Sequence, residues 1–522
     1  MLKATTPTQR GSQVNQRVAR QAKKKQRRIQ RKLTEARRRQ DTGRPVLPTT
    51  KVSYEMSERT SAMPHGGLGV AHQVVVASGL IGRINEGVHV LKQHRPYHES
   101  DHVLNIAYNV LCGGQTLEDI ELRRNDEAFL DALGVEAIPD PTTAGDFCRR
   151  FTAPDIDRLT SAINRTRVEV WKSQPAEFLA RTARIDADGT LVVSTGECKQ
   201  GMAMSYKTTW SYHPLVISLA NTDEPLFVVN RSGNRPSHEG AAACLDQAIA
   251  LCREGGFTDI LLRGDTDFSQ TRYLDGWDDD GVRFVFGYDA KPNLVERANH
   301  LEPSDFGHLE RRAKAAFVEP DRRRARPTNV KRQWVREHGY KVDRLRSEDI
   351  AEFDYRPKAC SRAYRMVVVR KNLSIERGEQ ALFDEVRYFF YLTNDREMTA
   401  KQVVFEANDR CNQERLIEQL KNGVRALHAP VNTLLANGAY MVMAALAWSI
   451  KAWMALSLPV TERWRARHEA QRQDWLRMSF RAFRKAVIDI PVQILRSGRR
   501  RIWRLLAWRP QLDVLARLLP AH

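Results

Sequence analysis

Carboxylates follow or lie within two short stretches that the sequence predicts to be β-strands. In RIDADGT, Asp186 and Asp188 lie two residues apart and so share one face of a strand. In ILLRGDTDF, the apolar run predicts a buried strand, and Asp265 comes at its C-terminal end, the edge where α/β sheets bind ligands. A charge at either place is costly to bury unless a cation lies beside it. These acids are therefore candidate metal ligands.

A third carboxylate lies in a segment predicted to be a helix, NDRCNQERLIEQLKNG. At about 100° per residue, Glu414 falls ~40° from Arg410 and Lys421 falls ~20° from it, so two cations flank one acid on a narrow stripe. Such a stripe is either an exposed ion-pair face or a carboxylate held for a metal, with cations beside it for phosphate. Glu418 lies ~40° further round the helix and is expected to be dispensable.

Two carboxylates from neighbouring strands and one from a helix could hold two divalent ions about 4 Å apart. Such ions activate a water molecule or a 3′-hydroxyl group and stabilise the leaving oxygen of a phosphodiester. Two alternatives stay open. An aspartate at a strand end is often only a turn cap, and Asp186 or Asp267 could be the functional residue in place of its neighbour.

Positive charge is concentrated at the two ends of the chain. The net charge of the 522 residues is +20. Residues 1–45 contain fifteen Lys and Arg against two acids, and residues 462–510 contain fourteen against four, so the middle is nearly neutral. Basic arms around an ordinary globular body are typical of a protein that binds a polyanion.

The first basic arm contains a stretch, residues 13–40, with neither Gly nor Pro and with mostly helix-forming residues. Its apolar stripe is too thin for it to fold alone, which predicts a disordered segment or a helix that orders on DNA. Binding of its cations to phosphate would release counterions. The candidate contacts are Lys23, Lys24, Lys25, Arg27 and Arg28. The alternative is a solvated tail that only aids solubility.

The order of the predicted elements indicates an α/β protein with helical flanks. Residues 70–180 have helical spacing, and three strand candidates, a helix and further strands follow before helices return at residue 401. The apolar run Met441–Ile450 is too short for a bilayer span of about twenty residues, so we expect a buried helix and no membrane partner. Seven cysteines without a CxxC pair, and no signal peptide, favour a reducing cytoplasm over a zinc site.

With these motifs in this order, the sequence resembles the bacterial DDE transposases that have an RNase H-like core, in the insertion sequence 1380 family of the wider insertion sequence 4 group. The resemblance runs from about Tyr97 to Leu456. It rests on DADGT for the first aspartate, RGDTDF for the second, and R-x3-E-x6-K around Glu414. Three further segments are similar to the family: GGQTLEDIELRRND, YHPLVISLANTDEPL and NRSGN.

The resemblance implies which carboxylates would be catalytic. In that group the first catalytic aspartate stands two residues before a threonine, which implies Asp188, with Thr190, and leaves Asp186 as its neighbour. The second acid would be Asp265 and the helical acid Glu414. These three would bind Mg²⁺ or Mn²⁺.

The resemblance also implies residues that contact DNA. Arg410 and Lys421 would contact phosphates near the scissile bond. Ala407 departs from the family, which usually has a tyrosine at that position, and this departure concerns a phosphate contact rather than the metal site. Trp334 could stack on a displaced base, or it could be a core residue.

The architecture that the resemblance implies is an α/β fold, an RNase H-like catalytic core with a β-rich insertion, between helical N-terminal and C-terminal regions. The expected segments are a basic arm, disordered or helical (1–48), a helical DNA-binding or dimerisation domain (49–180), the first part of the core (181–290), the insertion (291–395), the last part of the core with the catalytic helix (396–457) and a basic helical region (458–522).

The expected activity is transposition of a mobile element. It comprises metal-dependent cleavage of double-stranded DNA at terminal inverted repeats, followed by strand transfer into target DNA. A homodimer on the nucleoid of a bacterial cytoplasm is expected to perform it. The alternatives are an RNase H-like nuclease without strand transfer, and a non-catalytic DNA-binding protein derived from a transposase.

Overall fold

A computed structural model of the chain defines the fold. It describes residues 16–38, 52–54, 56, 60–94, 96–196, 198–310, 329–377, 380–497 and 500–519. The linker predicted at Gly43–Pro48 lies outside the described residues.

Helices form both flanks of the described chain and also occur between the central strands. They are α1 (Gln16–Arg37), α2 (Leu68–Ala77), α3 (Leu80–Gly87), α4 (Glu99–Leu111), α5 (Ile120–Arg124), α6 (Glu127–Leu133), α7 (Pro141–Arg149), α8 (Ala153–Lys172), α9 (Ala176–Leu179), α10 (Ala241–Glu254), α11 (Leu274–Asp279), α12 (Pro292–Asn299), α13 (Val330–Glu337), α14 (Ala400–Asp409), α15 (Cys411–Glu418), α16 (Leu434–Leu456), α17 (Arg465–Arg477), α18 (Phe480–Phe483) and α19 (Leu512–Leu515).

Strands occupy mainly the middle of the chain. They are β1 (Ala62–Met63), β2 (Ala183–Gly189), β3 (Val192–Val193), β4 (Ala203–Met204), β5 (Trp210–Tyr212), β6 (Leu215–Leu219), β7 (Glu224–Val229), β8 (Ile260–Gly264), β9 (Arg283–Tyr288), β10 (Gly307–His308), β11 (Lys341–Tyr355), β12 (Tyr364–Arg377), β13 (Gln380–Thr393), β14 (Val492–Ser497) and β15 (Arg500–Leu505).

One large mixed sheet of nine strands forms the centre of the fold, in the order β10-β11-β12-β13-β9-β8-β2-β6-β7. Strand β2 is parallel to β8, and β8 is parallel to β9, whereas β6 is antiparallel to β2 and to β7. Helix α10 lies between β7 and β8 in the chain, because a tight hairpin cannot carry the chain to a strand that is parallel to its neighbour. The predicted mixture of helices and sheet is confirmed.

Strand β8 is buried on both faces, which is why an uninterrupted apolar run encodes it. Ile260 and Leu262 join the main hydrophobic core. Leu261 faces the other way and packs in a second cluster with Val403 and Val404 of α14. Helices on both sides therefore fix the strand whose end carries Asp265.

Three long antiparallel strands, β11, β12 and β13, extend the large sheet. Only the last residues of β13 pair with β9, from Phe390 opposite Tyr288 to Thr393 opposite Val285. The earlier part of β13 and its two partner strands therefore project beyond the end of β9. All three strands lie within residues 291–395, where a β-rich insertion is predicted. The bounds of that insertion stay a prediction.

Helix α16 runs through the core of the molecule. Thr433 caps its first turn, where the Thr433 Oγ1 accepts a hydrogen bond from the Ala436 amide at 3.2 Å. Within the described part of the chain, α16 is a helix long and apolar enough to cross a membrane, but its residues 436–456 are buried inside the protein. The helix predicted over Met441–Ile450 is confirmed as a buried core helix.

A fully buried carboxylate joins α8, β7 and α16. Glu224 accepts hydrogen bonds from Arg167 Nε at 3.0 Å, Trp171 Nε1 at 3.1 Å and Trp453 Nε1 at 2.9 Å. Arg167 also donates to Ser449 Oγ at 3.1 Å. A buried charge is tolerated when it is paired and hydrogen-bonded, so this network holds two helices against the sheet in one fixed arrangement.

The C-terminal region was predicted to be helical, but it also contains strands. Strands β14 and β15 form a hairpin, and β14 also pairs with β1, so that Ala62 lies opposite Gln493. Val492 and Ile494 are buried in alternation with more exposed neighbours, the pattern of a half-buried strand. The helical prediction is therefore wrong for β14 (Val492–Ser497) and β15 (Arg500–Leu505), where a high density of arginine masks the alternation.

His102 in α4 predicts a pH dependence of stability. Its ring is buried and stacks on Phe147 at 4.3 Å between ring centroids, and burial lowers its pKa to about 4. Below pH ~6.5 the unfolded chain binds a proton that the folded chain excludes. Stability that is full above this pH should fall as the pH drops toward 4, by about 2 kcal/mol between pH 7 and pH 5.

Urea unfolding at these two pH values tests this effect. His102→Leu is expected to lose most of that pH-dependent difference. His89→Leu, at an exposed position, is expected to keep the wild-type difference. Equal pH dependence in the wild type and in His102→Leu would contradict the assignment to His102.

Candidate active site

Strand β2 brings Asp186 and Asp188 to one face, but their surroundings differ. Asp186 is buried and paired with Arg263, whose Nε lies 2.6 Å from Oδ1 and whose Nη2 lies 2.8 Å from Oδ2. Arg263 also donates to Glu406 Oε1 of α14 at 2.8 Å. Both oxygens of Asp186 are thus engaged in a bidentate ion pair across the sheet.

Asp188 is half-buried, and its carboxylate is not held by a close ion pair. Arg410 is the neighbouring cation, with Nη1 3.6 Å from Asp188 Oδ2. Burial raises the pKa of Asp188 to about 7, and the carboxylates of Asp265 and Glu414 contribute to the rise, whereas Arg410 opposes it. The carboxylates of Asp265 and Glu414 therefore both disfavour the ionised form of Asp188.

Asp265 follows β8 at the edge of the sheet. Its Oδ1 accepts a hydrogen bond from the Asp267 amide at 3.0 Å and so caps the 3₁₀ turn Thr266–Phe268. Burial raises its pKa, Arg410 lowers it, and Asp267 and Asp289 raise it further. The alternative left open from the sequence, that Asp265 caps a turn, is therefore found. The same carboxylate is also influenced by the charge of Arg410. Asp267 itself is exposed.

The helix predicted over Asn408–Gly423 is not continuous, so a regular helical wheel is wrong for this segment. Helix α14 ends at Asp409, Arg410 stands between two helices, and α15 begins at Cys411. A π-helical turn, Gln419–Gly423, then follows. Lys421 lies in that turn, where burial lowers its pKa and Asp188 opposes the shift. Arg410 lies 3.6 Å from Asp188, and Asp188 acts on the charge of Lys421, although the helix that carries both cations is interrupted.

Glu414 lies in the first turn of α15 and is exposed. Helix α15 packs on β2. Gln413 fixes this contact: it is buried, and its Nε2 donates to the carbonyl oxygens of Asp186 at 3.1 Å and Val216 at 2.9 Å. Sequence analysis missed Gln413, since a glutamine in a polar helix carries no local sign of burial.

His213 is a second residue that sequence analysis missed. It is buried, its Nδ1 lies 2.8 Å from the Arg235 carbonyl oxygen, and burial lowers its pKa. A Cβ atom on Gly189 would lie 2.8 Å from His213 Nε2. Gly189, directly after Asp188, therefore lets the imidazole approach the strand. The glycine in DADGT is the one sequence feature that could have indicated this close approach.

The other predicted DNA contacts lie on exposed surfaces. Trp334 in α13 is 50% exposed, so it is not a core residue. Its ring lies 4.2 Å from that of His338 and 5.5 Å from that of Tyr340, measured between centroids. The predicted basic contacts Lys23, Lys24, Lys25, Arg27 and Arg28 are exposed on α1.

Helix α1 is anchored to the C-terminal region. Ala22 is buried, the Lys25 ammonium donates to the Leu506 carbonyl oxygen, and α1 packs against α19. The prediction left open a disordered or a helical arm, and a helix is found over Gln16–Arg37.

The donor set of Asp188, Asp265 and Glu414 has the hard carboxylate oxygens that Mg²⁺ and Mn²⁺ prefer. Among the described residues, no three His, Cys, Asp or Glu side chains are close enough together to form a ready-made metal site. The carboxylate chemistry of these residues fits such an ion, and the charge of Arg410 acts on both Asp188 and Asp265.

The mixed helix and sheet fold, with Asp188 and Asp265 at the same end of two parallel strands, is consistent with the α/β fold of DDE transposases. Residues 59–521 match the family model described as transposase DDE domain group 1, and the chain belongs to this family. This membership supports a transposase function and a nucleic-acid-cleaving enzyme. The predicted DDE transposase relationship is thereby confirmed at that level.

A solved structure with detectable similarity is the cryo-EM structure of the piggyBac transposase synaptic complex with hairpin DNA. The identity is 9%, the match covers 82% of this chain and 84% of that chain, and the TM-score is 0.35. A TM-score this low does not establish a shared fold. Among curated proteins, no significant match to this chain is found.

Proposed function

We propose that this chain is a DDE transposase that cleaves double-stranded DNA at the inverted repeats of its mobile element and transfers the freed strands to target DNA. The observation that carries the proposal is the position of Asp188, which lies 3.6 Å from Arg410 and is influenced by the carboxylates of Asp265 and Glu414. These groups come from two parallel strands and a helix. Because the chain belongs to a DDE transposase family, three acids in this order are expected to be catalytic.

The catalytic core in this proposal is RNase H-like. It comprises β2, β6, β7, β8 and β9 with α10 and α15, and the insertion is the part that contains β11, β12 and β13. The first acid lies on β2 and the second follows β8, its parallel neighbour. Helix α15, which packs on β2, would bring the third acid to the same edge.

The ion implied by the family is Mg²⁺ or Mn²⁺, and Asp188, Asp265 and Glu414 would hold it. When bound, it would supply Lewis-acid stabilisation of the developing charge and lower the pKa of the attacking water or 3′-hydroxyl group. Asp186 would serve a different purpose. Its pairing with Arg263 would keep β2 and β8 in register and so set the spacing of the two strand acids.

Arg410 and Lys421 would bind phosphates on either side of the scissile bond. Arg410 Nη1 is buried without a hydrogen-bond partner in the described part of the protein, so a donor is available for a phosphate oxygen. Gln413 would hold α15 in place through its bonds to β2 and β6. The cations of α1 and the C-terminal arm would bind the repeats, and Trp334 would stack on a displaced base.

The biological setting is part of the same proposal. The motif spacing supports an element of the insertion sequence 1380 type, acting on the nucleoid in a bacterial cytoplasm. A homodimer would cut the two ends of the element together.

The proposal predicts that Glu414→Gln lowers DNA nicking by about 10³-fold, because the lost ligand removes several kcal/mol of transition-state stabilisation. The assay uses a labelled duplex that carries the element's end, with Mg²⁺. DNA binding measured without Mg²⁺ is expected to stay within about twofold of the wild type.

Glu418→Gln is the matched control one turn later in α15, and it should cut like the wild type. Equal activity in both variants would show that Glu414 is not a metal ligand and that Arg410, Glu414 and Lys421 form an ordinary exposed ion-pair face. A wild type that binds but never cuts would favour the non-catalytic alternative. Cut ends that never join to a plasmid would favour a nuclease without strand transfer.

A further inference from the structure

A small sheet stands beside the candidate active site and has no assigned role. It has the strand order β3-β5-β4. It continues the ladder between β2 and β6 past Asp188, because the Thr190 amide donates to the Pro214 carbonyl oxygen at 3.0 Å and Val192 then pairs with Tyr212. The small sheet therefore projects from the strand that carries Asp188.

This sheet exposes apolar side chains in a group. Met204 and Trp210 lie directly opposite each other on β4 and β5, and they are 55% and 38% exposed. Val193 is 61% exposed and lines the same open depression, together with Ser194 and Thr195. Grouped exposed apolar residues on a soluble surface mark a binding site more often than isolated ones do.

The tip of the hairpin between β4 and β5 adds an aromatic ring and a cation. Tyr206 is 74% exposed, and the Lys207 ammonium lies 5.3 Å from the centre of its ring. Thr208 has a φ of 53°, a left-handed conformation that is costly for a β-branched residue. Residues 203–212 contain no acidic side chain. The tip is therefore suited to an anionic ligand with flat rings.

The hairpin lies near the catalytic helix and is firmly held. Lys207 is close enough to Lys421 for its charge to lower the pKa of that residue. Tyr212 Oη donates to the Gln200 carbonyl oxygen at 2.7 Å, and the Gln200 amide donates to the Asn432 carbonyl oxygen at 2.8 Å. These bonds tie the sheet to the loop that precedes α16. The apolar group is thus a fixed surface.

We propose that the sheet β3-β5-β4 binds unpaired nucleotides of the DNA strand that leads away from the cleavage site. Trp210 and Met204 would form the stacking surface for the bases, Tyr206 would contact a further base, and Lys207 would pair with a phosphate. Trp210 adjoins Ser211, the partner of Val193, so it lies next to the end of β3 and at most ~20 Å along the chain from Asp188. That span corresponds to several nucleotides. The inference rests on the proposed function.

Two DNA probes test it: a blunt duplex, and the same duplex with a short single-stranded thymine overhang. Affinities are measured by fluorescence anisotropy with the full chain in metal-free buffer. The wild type is expected to bind the overhang duplex about tenfold more tightly than the blunt duplex. Trp210→Leu keeps an apolar side chain without an aromatic face, and it should lose this preference while retaining its affinity for the blunt duplex.

Matched variants separate stacking from folding. Trp210→Phe should keep most of the preference. Phe383→Leu, which removes a similarly exposed aromatic ring on β13, should keep all of it. If Trp210→Leu loses affinity for both probes, Tyr206→Leu provides the test, because Tyr206 is more exposed and its replacement should disturb folding less. Tyr206→Leu should lose part of the preference for the overhang duplex. Equal binding of both probes by the wild type, or a preference that survives in both of these variants, would overturn the inference.

The outcome is separable from that of the proposed function. A wild type that prefers the overhang but never cuts contradicts the catalytic proposal alone. A wild type that cuts in a Glu414-dependent manner but binds both probes equally contradicts the nucleotide-binding sheet alone.

Discussion

Asp188→Asn is expected to lower DNA cleavage by about 10³-fold or more, because one ligand of the proposed metal site loses its charge. The same change should leave the melting temperature unchanged or raise it. Burial and two neighbouring carboxylates disfavour the ionised form of Asp188 in the folded chain, so a neutral amide relieves that repulsion. Nicking of a labelled duplex and thermal unfolding, measured on the same preparation, check both parts.

Asp186→Asn is the matched control on the same face of β2. It breaks the buried pair with Arg263 and leaves that guanidinium short of a partner. Its free energy of unfolding should fall by about 3 kcal/mol. If Asp186→Asn abolished cleavage at unchanged stability while Asp188→Asn still cut DNA, the two aspartates would have to exchange roles.

Glu224→Leu is expected to lower the free energy of unfolding by about 5 kcal/mol, the largest stability effect that this structure predicts. The change leaves Arg167 with an unpaired buried charge and removes the acceptor of two tryptophan N–H groups. Glu224→Gln should cost less, because an amide oxygen can still accept hydrogen bonds. Urea unfolding followed by tryptophan fluorescence measures both changes.

Glu239→Leu is the control for this prediction. Glu239 forms an exposed ion pair with Arg235 at 3.1 Å, and removal of such a pair should change stability by less than about 1 kcal/mol. Similar losses in Glu224→Leu and Glu239→Leu would show that the buried network does not stabilise the fold as argued.

The strands that carry the site could be predicted from sequence, because burial leaves a direct imprint on them. The run before Asp265 is apolar since helices cover both faces of β8. The buried helix α16 left an equally clear signal. The distinction between Asp186 and Asp188 could not be read from local sequence, because it depends on Arg263, which reaches β2 from the neighbouring strand.

Other parts of the site depend on contacts between distant residues. The break at Arg410 and the π-helical turn around Lys421 arise where the chain bends over the sheet, and helix propensity does not report them. Gln413 is buried only because α15 packs on β2. The hairpin of β14 and β15 is stabilised in part by pairing with β1, which lies far away in the sequence.

The pairing of Ala62 with Gln493 has a consequence for synthesis of the protein. Strand β1 leaves the ribosome about 430 residues before its partner β14 is made. Until then β1 has an unpaired edge, and closure of this sheet is a late, long-range step in folding. A nascent chain released before Gln493 would keep that edge open to proteases and to aggregation. The fold thereby favours survival of chains that have been translated past β14.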